Sequence, residues 1–407
     1  MKTFDDALAT MDFRVRWDHG GTRHTDCLHA QRVNFWRDVL PPGLADALAR
    51  QPGAASVALA FEAGQALPAP TAAAIHRVRR ADVERRGLAG GEIEPRYGRF
   101  YPRGMLRGVP GVFRENMQPF RCTGLETEWV TADFNHPLAG KKLAVEVAVQ
   151  DLRPKFEEHG GTTTDWMETA LTGPGMQGRA DGGATNFFAD RPFARADEND
   201  DRAFYDRPRM VNHLDDAAIG RIADLYRRLI PSDADVLDLM ASWTSHLPQD
   251  LRLKSLAVLG MNPDELNANP RAAERVVHDL NRQPVLPFGD GRFDAVICTV
   301  SVEYLIRPFE VFDDVARVLR PGGRFILTFS NRWFPPKAIR VWAELHEFER
   351  MGMVLEYFLK SGQYRQLETF SLRGLPRPEN DKYFGRMYFA DPVYAVWGRK
   401  VSAGPGI

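Results

Sequence analysis

Ser242, Ser245 and His246 stand within one short segment, DLMASWTSHLP (238–248), and are the residue types of a nucleophile and its base. Hydrolysis by such a pair also needs an acid that orients the histidine and a sharp GxSxG elbow that presents the serine. Neither is found in the sequence, which argues against serine-hydrolase chemistry. What remains are acids and amides that close apolar runs. Asp238 lies in VLDLM (Val236–Met240), Asn262 follows LAVLGM (256–261), and Asp279-Leu280 come next. Glu303-Tyr304 follow FDAVICTVS (293–301), and Asn331-Arg332 follow RFILTFS (324–330). Polar groups at the carboxyl ends of parallel strands face the crevice where an open α/β sheet binds its ligand. Among them Glu303 is the nominated general base. Three residues keep a second reading: Asn262 as a helix cap, Asp238 as a structural acceptor for loop amides, and Trp243 as a core residue.

The elements that would position these groups are legible from periodicity. Leu214, Ala218, Ile222, Leu225 and Leu229 recur every three or four residues, which predicts a helix with one buried face ahead of the first strand. Asn262-Pro263 with Glu265 reads as a helix start, Pro at the first position and a capping box. Pro308 opens a helix with Phe309, Phe312, Val315 and Leu319 on one side, broken by Pro321-Gly322-Gly323. This β-α-β-α order predicts a doubly wound α/β sheet from about residue 205 to 400. The N-terminal part differs. FRVRWD (13–18), SVALAF (56–61) and KLAVEVAVQDLR (142–153) read as strands, and PPGLADAL (41–48) as a short helix. Residues 154–204 are rich in Gly, Thr, Asp and Arg and are expected to form a linker or lid, while 64–94 reads as an insertion with one short helix.

Length and charge bound the rest. A chain of 407 residues at ~150 per domain suggests two or three domains. Lysine and arginine number 53 against 54 acids, a net charge of −1, which argues against a strong electrostatic hold on nucleic acid or an anionic membrane. No apolar run approaches the ~20 residues that span a bilayer, and MKTFDDALAT has no basic-then-apolar leader pattern. Cys27, Cys122 and Cys298 are too scattered for a disulfide framework or a zinc site. A cytoplasmic protein of several domains, with neither nucleic-acid nor membrane partner, is expected.

The string LPFGDGRFDAVICTVSVEYLIRPFEVFDDVARVLRPGGRFILTFSN (286–331) resembles the middle of a class I S-adenosylmethionine (SAM) methyltransferase, and the resemblance extends over about 205–398. It implies a Rossmann-like fold closed by VYAVWGRK (393–400) as an antiparallel strand, SAM as cofactor and an unidentified methyl acceptor. The implied cofactor residues are Asp238, Met240, Ser242, Asn262, Asp279 and Leu280. Two departures stand out. The glycine-rich first loop of the family is replaced by Met240-Ala241-Ser242-Trp243, and the acid that holds the ribose is replaced by Asn262.

A second resemblance covers roughly 11–153. ADFNHPLAGKKLAVEVAVQDLR (132–153) is similar to the last strand of FK506-binding-protein-type (FKBP) peptidylprolyl isomerases of the SlyD kind, with PPGLADAL and EPRYG (94–98) matching in order. It implies an α+β half-barrel around one helix, with a flap insert at about 99–133, acting on peptides with X–Pro bonds. The implied pocket residues are Trp17, Asp26, Phe35, Tyr97 and Val145, the last standing where an aromatic is usual. Apolar residues of the insert (Met105, Leu106, Val112, Phe113, Met117, Phe120) form either a small core or a surface for unfolded chains. The two resemblances together predict an isomerase and chaperone module fused to a methyltransferase-like module. The alternative is a non-catalytic scaffold in which both sites are degenerate.

Overall fold

A computed structural model describes residues 7–51, 56–85, 93–154, 160–181 and 183–402. The N-terminal part comprises β1 (Ala7–His19), β2 (Thr22–Asn34), α1 (Leu44–Arg50), β3 (Ser56–Phe61), β4 (Ile75–Arg79), β5 (Phe100–Pro102), β6 (Pro119–Leu125), β7 (Trp129–Asp133) and β8 (Leu143–Pro154). Then follow α2 (Trp166–Leu171), α3 (Asp201–Tyr205), α4 (Asp216–Leu229), β9 (Ala234–Leu239), β10 (Leu253–Gly260), α5 (Pro263–Ala268) and β11 (Glu274–Val277). The chain ends with β12 (Phe293–Thr299), α6 (Pro308–Val318), β13 (Leu319–Phe329), α7 (Arg340–Glu344), α8 (Glu347–Ser361), β14 (Tyr364–Arg373) and β15 (Val393–Lys400).

Eleven strands form one sheet in the order β11-β10-β9-β12-β13-β15-β14-β2-β1-β8-β3. β9 to β13 run parallel, and β15 pairs antiparallel with β13 and β14. Near-continuous apolar strands such as β9 and β12 are buried on both faces, as a parallel sheet covered by helices requires. The N-terminal strands extend this sheet instead of closing a separate half-barrel. The edge of β2 meets β14 in parallel register, Glu368 opposite Arg23 through Arg373 opposite Leu28, so backbone groups left open at either edge are paired. Side chains reinforce that seam: His24 Nδ1 bonds Thr369 Oγ1 at 2.8 Å, and Ser371 Oγ donates to Asp26 at 2.7 Å. Burial drives the His24 imidazole down to about 3, so it is neutral in this seam.

Two expectations are corrected. Residues 160–204 are not merely a polar tether. α2 buries Met167, Ala170 and Leu171 against β1 and β2, and Met176 and Phe187 enter the core of the C-terminal part. Glycine allows this stretch to pack close: a Cβ on Gly173 would lie 2.4 Å from the Phe348 ring. The 64–94 stretch is likewise no plain helical insertion, since β4 joins β7, β6 and β5 in a second, four-stranded sheet, while 86–92 lie outside the described residues. Met105, Leu106 and Phe120 form that sheet's own core, whereas Phe113 and Met117 are exposed.

Candidate active site

At the carboxyl ends of β9, β10, β11 and β12 a cleft opens, lined by Asp238, Met240, Trp243, Asn262, Asp279 and Tyr304 among others. Each wall has a local cause. β9 ends and the chain turns sharply, with Met240 at φ 58°, the left-handed conformation in which glycine is unstrained. The next residue comes so near β10 that a Cβ on Gly260 would lie 2.2 Å from the Ala241 carbonyl oxygen, so Gly260 is required there. Val300 and His246, also on the cleft, have φ 48° and 51°. Three of the eight non-glycine residues with positive φ among the described residues thus border this crevice, which makes it a candidate site.

Asp238 is buried, and burial pushes its carboxyl up to about 7 against the opposing pull of a bond from Ser245. The serine and histidine cluster is dismantled by the fold: Ser242 Oγ donates to Glu265 at 2.6 Å, while Ser245 Oγ accepts from Asn269 at 2.9 Å. His246 lines the cleft and is driven down to about 4, chiefly by burial. Asp279 Oδ1 accepts from the backbone nitrogens of Asn281 and Arg282 at 2.9 and 3.1 Å, which shapes the loop after β11.

Asn262 fulfils the capping reading. Its Oδ1 accepts from the nitrogens of Asp264 and Glu265, and its Nδ2 donates to the carbonyls of Tyr205 and Asp206, each at 2.9 Å. A capping amide is usually half idle; here its other half ties segment 201–214 across the cleft. The same segment is held by Glu265, which accepts from the Arg209 nitrogen at 2.7 Å. Asp201 is fixed between Arg195 at 2.7 Å and the fully buried Lys337 at 3.1 Å. The segment brings an aromatic group: Phe204 and His213 pack on Phe334 with ring centres 5.7 and 5.0 Å away, Tyr304 stacks on it at 6.0 Å, and Arg209 lies over Phe204 at 4.6 Å. Sequence reasoning placed 201–204 in a linker or lid without reading this aromatic wall; the Phe204-Tyr205 pair in a polar stretch was the available signal.

Glu303 is not on the cleft wall. It is fully buried behind it, neither carboxylate oxygen has a hydrogen-bond partner among the described residues, and burial raises it to about 8. A carboxyl that holds its proton at neutral pH cannot take another, so the nominated base is corrected. Arg332 is likewise turned away, bonded to Asp391 at 3.0 Å.

The implied prolyl-binding residues meet a different fate. Trp17, Asp26 and Val145 are all buried. Trp17 Nε1 donates to Asp26 at 2.9 Å, its ring stacks on His24 at 3.8 Å, and Gln177 donates to both Asp26 oxygens at 3.2 Å. Val145 is a mid-sheet residue between Val15 and Leu59. Phe35 packs at the margin of the same core. Tyr97 is separated from Trp17 by the chain itself: Arg121 bonds the carbonyls of Gly98 and Gly178, and a Cβ on Gly178 would lie 3.4 Å from the Trp17 ring. Segment 175–179 therefore packs directly against Trp17.

Residues 244–327 match the model of the methyltransferase domain family. An uncharacterised methyltransferase of Mycolicibacterium gilvum is 31% identical over 139 residues, 33% of this chain and 48% of that protein. A second, from Mycobacterium sp. strain JLS, is 26% identical over 190 residues, 46% of this chain and 69% of that protein. The chain thus spans about half the length of the first relative. A solved SAM-dependent methyltransferase from Aquifex aeolicus is 14% identical and covers 49% of this chain and 97% of its own, with a TM-score of 0.31. No comparison identifies an FKBP fold in the N-terminal part. The matches place a methyltransferase domain in the C-terminal part of this chain, of the class I kind whose cofactor is S-adenosylmethionine.

Proposed function

We propose that the chain transfers a methyl group from SAM to an acceptor held under the 201–214 segment. One observation carries the reading: the loops after β9, β10 and β11, which the family resemblance assigned to the cofactor, line a single cleft. The residues present suit SAM at two ends. Asp238 and the Met240 turn border the methionine end, and Asp279 with the buried Leu280 the adenine end. At the ribose level the site departs from the family, because Asn262 is neutral and its polar atoms are already engaged by the chain. Cofactor affinity is accordingly set by the two ends.

When bound, SAM supplies a methyl group on a cationic sulfur, open to in-line attack. The protein's part is to position, to exclude water and to handle a proton. Tyr205, Tyr304 and Phe334 form an apolar wall that seats a flat or apolar acceptor and keeps water out. Transfer to a neutral nucleophile disperses the cationic charge, a change that a desolvated site favours. His213, on the same wall, is lowered by burial and by Arg209, so it is neutral and able to accept the proton an acceptor releases.

Calorimetric titration with SAM tests the reading, and an absence of binding at millimolar cofactor would sink it. Asp279→Ala is expected to weaken binding about tenfold to a hundredfold, the ~1.5–3 kcal/mol of a charged hydrogen bond, with the melting temperature recorded to separate loss of a contact from loss of the loop. Unchanged affinity would remove Asp279 from the cofactor site.

Peptidylprolyl isomerisation, the activity the second resemblance implies, is not favoured by the geometry. With Asp26 bonded inside the protein and Gln177 over it, a chromogenic prolyl-peptide assay is expected to show no acceleration above the uncatalysed rate. A rate that rises with protein concentration and falls in Tyr97→Ala would restore the isomerase.

A further inference from the structure

Among the described residues that line the cleft, Arg209 is the one lysine or arginine. It is half-buried, and its guanidinium lies 4.6 Å over the Phe204 ring, 5.4 Å over Phe334 and 5.8 Å over Tyr205. Nη2 donates to the Phe204 carbonyl at 2.9 Å, and no described carboxylate pairs with the side chain. The acids around it are engaged elsewhere. Glu265 accepts from the Arg209 backbone nitrogen at 2.7 Å with one oxygen and from Ser242 at 2.6 Å with the other. Asp201 is taken by Arg195, Lys337 and Asn281. Structural arginines of this chain hold an acid, as Arg195 and Arg377 do, or two carbonyls, as Arg271 and Arg275 do. Arg209 has neither.

A guanidinium carries five N–H donors in a fork, so most of those of Arg209 have no acceptor in the protein. Three rings displace part of its water, and a counter-charge is worth more where solvent is displaced. The fork matches a carboxylate, which can take two parallel bonds. A phosphate suits the cleft less, since its second charge would meet Asp201, Glu265 and Asp279 with no second cation on the wall. The neighbouring ring gives the anion a direction. His213 packs on the same Phe334 ring at 5.0 Å, so a molecule laid along Phe334 from Arg209 reaches the imidazole within about one ring. After burial, the charge of Arg209 is what lowers His213, and a carboxylate on the guanidinium offsets that charge and leaves the imidazole a better base.

We infer that Arg209 receives the carboxylate of the methyl acceptor, which makes the acceptor an aromatic acid with its nucleophilic hydroxyl on the side of His213. That the bound acid is a methyl acceptor rests on the proposed methyl transfer; the carboxylate site stands on Arg209 alone. In the transfer the hydroxyl oxygen bonds the methyl carbon, the C–S bond breaks with its electron pair left on sulfur, and the hydroxyl proton passes to His213.

Calorimetric titration of the full chain with benzoate, para-hydroxybenzoate and indoleacetate, each beside its own neutral amide, tests the site, with and without S-adenosylhomocysteine. At least one acid is expected to bind about tenfold to a hundredfold more tightly than its amide. Arg209→Gln should remove that preference and Arg209→Lys should keep part of it. Arg207→Gln, exposed two residues earlier, should keep it all. Should Arg209→Gln melt well below the parent, the acid–amide ratio of Arg209→Lys against the parent decides. No acid preferred over its amide overturns the proposal, as does a preference that survives the loss of Arg209. So does an Arg209 variant that binds S-adenosylhomocysteine more weakly but methylthioadenosine, which lacks the carboxylate, as well as the parent: the anion is then the cofactor's own. If S-adenosylhomocysteine fails to bind at millimolar concentration while the acids still need Arg209, the methyl-transfer reading fails and the carboxylate site stands.

Discussion

Replacing Arg377 with methionine is expected to lower stability by about 3–5 kcal/mol, the cost of leaving buried carboxylates without their cation. Arg377 is itself buried, as are Asp215 and Asp391, and it bonds Asp391 at 2.8 Å, Asp381 at 2.9 Å and Asp215 at 3.3 Å. The two acids already approach each other, for the Asp215 nitrogen donates to Asp391 at 3.1 Å and the Asp391 nitrogen to Asp215 at 2.6 Å. Without the guanidinium the two carboxylates would face one another, with Arg332 partly offsetting only Asp391. Asp215 also caps α4, its Oδ1 accepting from Ala218 at 2.9 Å, so the start of that helix and the cleft segment before it should loosen together. With about 2.1 cal/mol/K of unfolding entropy per residue, a 407-residue chain shifts by about 1.2 °C per kcal/mol, so the melting temperature should fall by roughly 4–6 °C. Arg377→Lys should recover only part of this, because one ammonium cannot reproduce the fork that reaches several acids. The decisive arm is rescue: adding Asp215→Asn and Asp391→Asn to Arg377→Met should restore more than half of the loss. If the triple variant melts with the single one, the destabilisation comes from lost packing and the electrostatic account is wrong.

How much of this was legible beforehand depended on whether a feature is local. The strand that ends in Asp238, the Asn262-Pro263 helix start and the α4 stripe were readable because period and cap are set by a few neighbouring residues. The joining of β2 to β14 was not. Those strands lie more than three hundred residues apart in the chain, and neither carries a local signal of its partner. Glu303 shows the same limit from the other side. Its position after β12 was visible, but its full burial and the charges that act on it, Arg350 among them, come from the folded chain and carry no local signal. Asp26 and Trp17 were read as pocket residues because nothing in their own strands shows that Gln177 and Ser371 occupy the acid. At 160–204 a composition rich in Gly, Thr, Asp and Arg pointed to a linker or lid, whereas its glycine at 173 permits close packing.

Glu303→Gln is expected to flatten the alkaline side of the stability profile. The folded-state value of about 8 lies far above the ~4.3 of an exposed glutamate. Between these limits the native state holds the proton more tightly than the unfolded chain does. The resulting stability is complete below about pH 4.3 and is lost as pH rises toward 8. Two histidines work in the opposite sense. His24 and His246, at about 3 and about 4, are buried neutral, so stability rises with pH until the unfolded chain's histidines are deprotonated near 6.5. Below that point the two trends offset each other. Above it only the raised carboxyls still act, Asp238 up to about 7 and Glu303 up to about 8. At about 1.4 kcal/mol per pH unit, Glu303 alone removes roughly 2 kcal/mol between pH 6.5 and 8. Urea unfolding midpoints of the parent and of Glu303→Gln, taken at both pH values, measure this directly. The parent should weaken and the variant should weaken much less, leaving only the smaller share due to Asp238. An amide there keeps the shape of the protonated acid, and Glu303 lies behind the cleft wall, so SAM binding at pH 7 should be the same in both proteins. Parallel pH slopes would mean that Glu303 is ionised in the folded state, and a carboxylate behind Tyr304 would again be a candidate base.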